Sequence, residues 1–225
     1  MTIRPDPSQL PPPVYDACAS HYDRAMRPLE RLLLRRLRAA TLRALTADSI
    51  GSHPANDGKE RDAHGGLRLL EIGAGTGLNF AHYPPGARGA ATEPSREMLR
   101  RAREKSPPPG LHLVQSRAEA LPFADDTFDA AFATLVFCSV ASPPEAFAEL
   151  RRVVRAGGHV VLLEHVRPAG RLAGRLFDAL SLLTVRLFDD HFNRRTAEEA
   201  GRAGLHLLRV EPHALGIIQL IVCEV

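Results

Sequence analysis

A short apolar segment followed by three regularly spaced glycines constrains this chain more than any other feature. Leu69 to Ile72 is apolar apart from Glu71, and Gly73, Gly75 and Gly77 follow at alternate positions. Because glycine lacks a Cβ, its backbone adopts positive φ easily and approaches a ligand closely. A buried parallel strand ending in such a turn is typical of nucleoside-bearing cofactor sites. The motif therefore predicts an α/β fold with a cofactor site at a strand end.

The segments around this motif alternate between strand and helix patterns. We expect strands over Leu67–Ile72, Ala87–Thr92, Leu111–Gln115, Phe128–Ala133, His159–Glu164, Leu205–Val210 and Ile217–Val225. We expect helices over Thr76–His82, Ser95–Lys105, Pro144–Arg155 with a cap at Gly157-Gly158, Arg171–Phe188 and Thr196–Ala203. Such alternation predicts a Rossmann-like α/β fold: a mostly parallel sheet of these seven strands, with right-handed crossovers and helices on both faces.

The first 66 residues are expected to form a helical cap followed by a loop. Tyr15 to Ala47 combines leucine and arginine at helical spacing, and Pro28 is expected to break or kink this helix. Thr46 to Gly66 has no apolar period and is rich in turn-forming residues, which predicts a long exposed loop. We therefore predict a single domain with a cap in 1–66, a cofactor-binding core in 67–166 and substrate-side elements in 167–225.

Composition narrows the possible functions. No apolar run reaches the roughly 18–20 residues of a membrane-spanning helix. The 3 cysteines are odd in number and lack metal-ligand spacing, which favours a reducing cytoplasm and no metal site. The basic residues lie on leucine-rich helices, and no Asn/Asp-Pro-Pro-Tyr/Phe motif follows the fourth strand, which disfavours nucleic acid as a partner. Arginines alternate with leucines in 24–38, a pattern suited to anionic lipid or an acidic substrate.

Three kinds of glycine turn compete for the motif. A phosphate-binding P-loop requires Gly-Lys-Ser/Thr, whereas Leu78 and Asn79 stand at those places. A dinucleotide fingerprint has its third glycine where Leu78 stands, which disfavours NAD. A purely structural turn is the remaining alternative, at a cost of roughly 0.5–1 kcal/mol per glycine. Glu93 ends the second strand, where an acid can accept hydrogen bonds from ribose hydroxyls. It does not distinguish NAD from other nucleoside-bearing cofactors, because NAD sites use such an acid too.

At these residues the chain resembles the class I S-adenosylmethionine-dependent methyltransferases, in particular their UbiE-like group. The resemblance spans roughly Leu69 to Glu164 and includes the loop Ala118 to Asp129 and the turn Leu150 to Gly158. It implies the class I methyltransferase fold, with S-adenosyl-L-methionine as cofactor and S-adenosyl-L-homocysteine as product. The cofactor-binding residues it implies are Glu71, Gly73, Ala74, Gly75, Gly77, Asn79, Glu93, Pro94, Ala118, Glu119 and Thr134.

One position departs from the family pattern. Arg117 stands where many members carry an acid that contacts the adenine amino group, and arginine has no acceptor. The expected substitute is either the backbone of Ala118 or the residue Glu119. Two alternatives to a methyltransferase stay open. One is an NAD(P)-dependent oxidoreductase. The other is a non-catalytic module that binds the cofactor without turnover, and Arg117 is the residue most consistent with it.

Candidate acceptor-side residues come from outside the core strands. Tyr15-Asp16 and Tyr22-Asp23 resemble a repeated Tyr-Asp that closes over the cofactor in many members. Glu164-His165 ends the fifth strand, and histidine titrates near neutrality. We predict Tyr22 and His165 as the catalytic residues. The alternatives are a packing tyrosine and a structural histidine.

The acceptor itself is predicted from a narrower resemblance. Thr134 to Val140 and Glu164 to Val166 resemble phospholipid N-methyltransferases and membrane-associated thiol methyltransferases. This implies a small apolar or amphiphilic acceptor that presents nitrogen, sulfur or oxygen. The arginine-leucine helices, including 170–188, favour a cytoplasmic protein with peripheral membrane contact. The alternative is that the apolar side of the 170–188 helix covers the edge of the sheet. Asp189-Asp190-His191 is interpreted as a solvated turn, and the alternatives are a contact for a cationic head group or a metal site.

Overall fold

The computed structural model describes residues 15–51, 66–166 and 194–225. The helices are α1 (Tyr15–Leu29), α2 (Arg35–Gly51), α3 (Arg96–Glu104), α4 (Pro143–Val153) and α5 (Thr196–Arg202), with a π-helical segment at Glu30–Leu34 and short 3-10 turns at Phe80–His82 and Ala214–Gly216. The strands are β1 (Arg68–Ile72), β2 (Arg88–Glu93), β3 (Leu111–Gln115), β4 (Phe128–Thr134), β5 (Val154–His165), β6 (His206–His213) and β7 (Ile218–Glu224).

These strands form one seven-stranded sheet in the order β3-β2-β1-β4-β5-β7-β6. The first five strands pair in parallel, and β7 runs antiparallel to both β5 and β6. The predicted Rossmann-like, mostly parallel sheet is thereby confirmed. Strand order reverses beside β1, because β2 and β3 lie on one side of it and β4 and β5 on the other. Such a reversal opens a crevice at the carboxyl ends of the strands, where α/β proteins bind ligands.

The two faces of the sheet bury different apolar clusters, because successive side chains of a strand point to opposite faces. Leu70 packs with Phe147 and Leu150 of α4 on one face. Its neighbour Leu69 packs with Leu34 and Leu45 of the N-terminal helices on the other. Helices therefore cover both faces, as the pattern of the strands predicts, and the sheet is held between two layers.

The N-terminal helices differ from the sequence expectation in two ways. Pro28 does not break α1; the helix continues into the π-helical segment Glu30–Leu34 and then into α2. Proline removes a backbone donor, and widening of the helix is one way to accommodate that loss. The loop predicted from Thr46 does not begin there, because α2 extends to Gly51 and the Thr46 hydroxyl donates to the Arg43 carbonyl at 2.9 Å.

Two further helix predictions are wrong around glycines. No α-helix covers Thr76–His82, because Gly75 and Gly77 have positive φ, and only a 3-10 turn forms at Phe80–His82. The helix α4 is not capped by Gly157-Gly158, since β5 begins at Val154. Gly157, at φ +70°, lies where the pairing of β5 with β4 shifts register. By contrast, Ser95 caps α3 as predicted, accepting a hydrogen bond from the Met98 N–H at 3.1 Å.

Several predictions fall outside the described residues: most of the 46–66 loop, the helix at Arg171–Phe188 and the Asp189-Asp190-His191 cluster. Among the helices that are described, none combines the length and the apolar character needed to cross a bilayer.

We predict that Gly89→Ala destabilises the fold strongly. A Cβ at Gly89 would lie 1.9 Å from the Leu69 carbonyl oxygen of β1, at φ +136°. Backbone strain and steric overlap together should lower the free energy of unfolding by about 3 kcal/mol or more. Urea unfolding followed by circular dichroism measures this.

Gly86→Ala provides the matched control. Gly86 also has positive φ, at +76°, but a Cβ there would meet no atom within 4 Å. The Gly86→Ala variant should lose only the strain energy of the left-handed conformation, so its free energy of unfolding should fall by about 1–2 kcal/mol. Equal losses for the two variants would contradict the close approach of β2 to β1.

Candidate cofactor site

A pocket lies at the carboxyl ends of β1, β2, β3 and β4, where the strand order reverses. Four loops and the two N-terminal helices contribute to it. The described residues that line it are Tyr22, Arg38, Ile72, Gly73, Ala74, Gly75, Thr76, Leu78, Thr92, Glu93, Pro94, Met98, Ser116, Arg117, Ala118, Glu119, Thr134, Leu135, Val136, Ser139, Val140 and Ala141.

The three glycines of the turn have different tasks, although each has positive φ. A Cβ at Gly73 would lie 2.5 Å from a Val136 methyl, and one at Gly77 would lie 2.4 Å from the Phe80 ring. A Cβ at Gly75 would meet nothing within 4 Å, and Gly75 lines the pocket. Gly73 and Gly77 therefore permit packing around the turn, whereas Gly75 leaves bare backbone facing the space for a ligand.

Glu93 projects a buried carboxylate into this pocket from the end of β2. Its Oε2 accepts a hydrogen bond from the Gly75 N–H, and its Oε1 accepts one from the Ser95 N–H, both at 2.9 Å. Burial raises its pKa from 4.5 to about 7, because loss of solvation outweighs the two backbone donors. Glu93 thus fixes the glycine turn against β2 while it lines the pocket, and its contact with the hydroxyl groups of a ribose stays a prediction.

Glu71 lies beneath the turn rather than among the described lining of the pocket. It is completely buried, and its oxygens accept hydrogen bonds from Asn79 Nδ2 at 2.6 Å and from the Tyr83 hydroxyl at 2.7 Å. Burial raises the pKa of this carboxyl group. Asn79 and Gly77 are also absent from that lining. These three residues of the motif hold the turn in place from behind.

Arg38 of α2 is a pocket residue that the sequence reasoning missed. It is 4% exposed, and its Nη1 donates to Asn79 Oδ1 at 3.0 Å and to Thr134 Oγ1 at 2.6 Å. Its Nη2 lies 2.9 Å from Glu30 Oε1. One signal could have found it: Arg38 shares the helix face of the buried residues Leu34, Leu37, Thr41, Leu42 and Leu45, where a charge requires partners.

The Tyr-Asp repeats connect α1 to the site. Asp16 accepts a hydrogen bond from the Ser95 hydroxyl, and Asp23 accepts one from the Thr76 hydroxyl at 2.5 Å. Asp23 also forms an ion pair with Lys105, with 2.6 Å between Oδ2 and Nζ. Tyr22 lines the pocket. Asp23 therefore fastens α1 to the glycine turn, and Asp16 fastens it to the start of α3. The side chain of the other tyrosine, at position 15, lies outside the described residues.

The fifth strand contributes through Glu164. This buried carboxylate accepts hydrogen bonds from the Val136 and Phe137 N–H groups at 3.0 and 3.1 Å. It thereby holds the turn after β4, in which Leu135 has φ +59° and lines the pocket with Val136. His165, the next residue, is not among the described lining residues. Its role as a catalytic residue stays a prediction.

The loop after β3 brings Arg117, Ala118 and Glu119 to the pocket, as expected. Glu119 Oε1 accepts hydrogen bonds from the Ala141 N–H at 2.9 Å and the Ser142 N–H at 3.1 Å. The Glu119 carboxylate therefore joins this loop to the start of α4. No group of three or more metal-ligating side chains occurs within the described parts of the chain.

Comparison with known proteins identifies the family. A model of the methyltransferase domain matches residues 70–162. Over 180 residues the chain is 31% identical to the ubiquinone/menaquinone biosynthesis C-methyltransferase UbiE of Syntrophotalea carbinolica, covering 78% of this chain and 69% of that protein. The chain belongs to the class I S-adenosylmethionine-dependent methyltransferases. This assignment confirms the resemblance noted in the sequence and replaces the dinucleotide alternative.

Two other relatives of this class I methyltransferase match a shorter part of it. Human thiol S-methyltransferase TMT1B is 40% identical over 110 residues, which cover 46% of this chain and 45% of the relative. Phosphatidylethanolamine N-methyltransferase of Cereibacter sphaeroides is 41% identical over 117 residues, which cover 50% of this chain and 57% of the relative. The chain thus spans about half the length of these two relatives.

A solved structure agrees on the fold of this methyltransferase. The SAM-dependent methyltransferase, possible histamine N-methyltransferase, of Thermotoga maritima superimposes with a TM-score of 0.63 at 20% identity, covering 94% of this chain and 97% of that one. S-adenosylmethionine is the cofactor of the family, and the pocket fits it. Bare backbone at Gly75 and the inward carboxylate of Glu93 suit a nucleoside joined to an amino acid.

We predict that Glu93→Gln shifts stability in a pH-dependent way. With its pKa raised from 4.5 to about 7, Glu93 contributes most to stability below pH 4.5, and that contribution is lost as pH rises through 7. Glutamine does not titrate. The free energy of unfolding of the variant relative to wild type should therefore increase by up to about 3 kcal/mol between pH 5 and pH 8.

Urea unfolding at both pH values measures this difference. Glu71 and Asp16, whose charges also raise the pKa of Glu93, are present in both proteins. Glutamine also loses one of the two backbone hydrogen bonds, which lowers stability equally at both pH values. A constant difference from pH 5 to pH 8 would contradict the raised pKa of Glu93.

Proposed function

We propose that the protein transfers the methyl group of S-adenosylmethionine to a small apolar or amphiphilic acceptor that presents nitrogen, sulfur or oxygen. The observation that carries this proposal is the pairing of Gly75 and Glu93 in the pocket, with 2.9 Å between the Gly75 N and Glu93 Oε2. When bound, the cofactor supplies a methyl group that its sulfonium makes electrophilic. The protein then has to hold the acceptor in line with that methyl group and exclude water.

The residues divide between the two ends of the cofactor. Glu93 accepts hydrogen bonds from ribose, and Pro94 and Ala118 lie beside the base. Arg117 has no acceptor, so we assign recognition of the adenine amino group to the backbone of the Ala118 loop. Gly73 and Gly75 present bare backbone to the amino-acid end. The side chains of Glu71 and Asn79 act indirectly, by holding the turn, and Gly77 does so because it has no Cβ to meet the Phe80 ring.

The acceptor region is the apolar part of the pocket. Leu135, Val136 and Val140 follow β4, and Tyr22 of α1 lines the same pocket. Apolar walls favour an acceptor with an alkyl or acyl body, and orientation can supply much of the rate acceleration. His165 remains our candidate base for an acceptor that has to lose a proton, since histidine titrates near neutral pH. The relatives support both an alkyl thiol and a phospholipid amine as acceptor classes.

Methyl transfer from radiolabelled S-adenosylmethionine tests the proposal. The acceptors to compare are a series of small alkyl thiols and mixed liposomes that contain phosphatidylethanolamine. We expect product with one of the two classes, and Glu93→Ala should weaken cofactor binding roughly ten-fold or more by removing a buried charged acceptor.

Glu104→Ala, on the exposed side of α3, is the control and should behave as wild type. Methylation of neither class would remove both acceptors from the proposal. Calorimetric binding of NAD in place of S-adenosylmethionine would overturn the activity altogether. Cofactor binding without turnover on any acceptor would favour the non-catalytic module.

We further propose that the protein contacts anionic lipid through an exposed surface of its N-terminal helices, which we call the arginine-leucine surface. Leu32 is 80% exposed and Leu29 is 38% exposed. The exposed arginines around them are Arg24, Arg27, Arg31, Arg35 and Arg36.

The acids in this stretch are engaged elsewhere. Asp23 pairs with Lys105, and Glu30 pairs with the buried Arg38. The arginine-leucine surface therefore carries net positive charge beside apolar side chains, which complements a lipid surface of negative charge. Because α1 also supplies Tyr22 to the pocket, contact with lipid on this side would bring an amphiphilic acceptor close to the site.

Co-sedimentation with vesicles tests this contact. Wild type should bind phosphatidylcholine vesicles that contain phosphatidylglycerol, bind pure phosphatidylcholine weakly, and dissociate in high salt. The double variant Arg27→Glu/Arg31→Glu should reduce binding at least ten-fold, since each basic residue contributes about 1 kcal/mol near such a surface.

Arg195→Glu/Arg202→Glu makes the same change in net charge at exposed positions near and on α5 and is the matched control. It should keep most of the binding. Equal loss in both double variants, or no preference of wild type for anionic vesicles, would contradict the arginine-leucine surface as the contact.

A further inference from the structure

Among the described residues that line the pocket, Arg38 is a buried cation whose surroundings indicate a specific ligand group. Arg38 reaches the pocket from α2 and contacts Thr134, at the end of β4, and Asn79, which follows the glycine turn of β1. Arg38 therefore lies at the gap between β1 and β4. Glu93 ends β2, on the other side of β1 in the sheet.

This placement separates the two ends of a bound nucleoside amino acid. If Glu93 binds the ribose and the loop after β3 lies beside the base, the amino-acid end extends toward β4. In the described lining the positively charged side chains are Arg38 and Arg117. Arg117 follows β3, at the far side of β2, so Arg38 is the cation on the amino-acid side.

We propose that Arg38 binds the carboxylate of the cofactor's amino-acid end, an inference that rests on the proposed function. A carboxylate transferred from water into a closed pocket needs a charged partner, and arginine provides planar, strongly donating N–H groups.

The guanidinium retains a donor for this task. Nη1 donates to Asn79 and Thr134, and Nε donates to Glu30 at 3.0 Å. Nη2 has two hydrogens, and in the described parts of the chain the acceptor beside it is Glu30 Oε1, at 2.9 Å. One Nη2 hydrogen is thus left for a ligand oxygen. The three fixed partners hold the group in position before the cofactor arrives, which lowers the entropic cost of binding.

Two ligands that differ by one group test the assignment. S-adenosylhomocysteine and its decarboxylated analogue, the 3-aminopropyl thioether, share the nucleoside, the sulfur and the amine. Calorimetry should show that wild type binds S-adenosylhomocysteine at least ten-fold more tightly. Arg38→Gln should weaken the binding of S-adenosylhomocysteine about ten- to one-hundred-fold. It should leave the affinity for the analogue within about two-fold of wild type, because only S-adenosylhomocysteine has the carboxylate.

Arg43→Gln removes an exposed arginine from the same helix and is the matched control; it should keep the wild-type preference. Parallel weakening of both ligands by Arg38→Gln would overturn the assignment and leave the proposed function standing, since it would indicate a purely structural arginine. Loss of the preference in Arg43→Gln would overturn it too. If Arg38→Gln does not fold, the test uses Arg38→Lys and the affinities of wild type for the two ligands. Equal affinities of wild type for S-adenosylhomocysteine and its decarboxylated analogue would reject the carboxylate contact. Failure of wild type to bind S-adenosylhomocysteine would instead reject the proposed function.

Discussion

The buried carboxylate of Glu71 is the constraint around which the polar part of this methyltransferase is organised. A carboxylate in the middle of a sheet is costly unless hydrogen bonds replace the water it loses. Asn79 and Tyr83 provide those bonds, and Asn79 in turn contacts Arg38 and Thr134. The chain after β1 is therefore tied at once to α2 and to β4. Removal of one side chain from this hydrogen-bond network would leave another buried polar group unpaired. Because that is costly, the network favours a single arrangement of these side chains.

The glycine turn above this network is held on both sides by carboxylates. Glu93 fastens it to β2 through the Gly75 N–H, whereas Glu164 holds the turn after β4, whose Val136 packs against Gly73. Asp23 fastens α1 across the top through Thr76. Acidic side chains that accept backbone or hydroxyl donors thus define the walls of the pocket. This arrangement explains why several acids near the site are structural, whereas Glu93 and Glu119 combine that task with a place in the described lining of the pocket.

Local pattern was sufficient for much of the fold and for part of the site. Strand boundaries around the motif were predicted closely, because buried apolar runs such as Leu69 to Ile72 have few alternatives. The helix predicted after Gly75 was wrong, since the positive φ needed at the turn competes with helix formation. Arg38 was missed because it is separated from Asn79 and Thr134 by 41 and 96 residues, and no local pattern encodes that meeting.

The sequence by itself determined the alternating α/β architecture, the glycine turn and the acid that ends β2, because each of these depends on residues that are neighbours in the chain. Only the tertiary structure decided which acids face the ligand. Glu71 and Glu93 have the same chemistry and both belong to strands that end at the crevice. The packing of Asn79 and Tyr83 turned one carboxylate inward, and the reversal of strand order left the other facing the pocket.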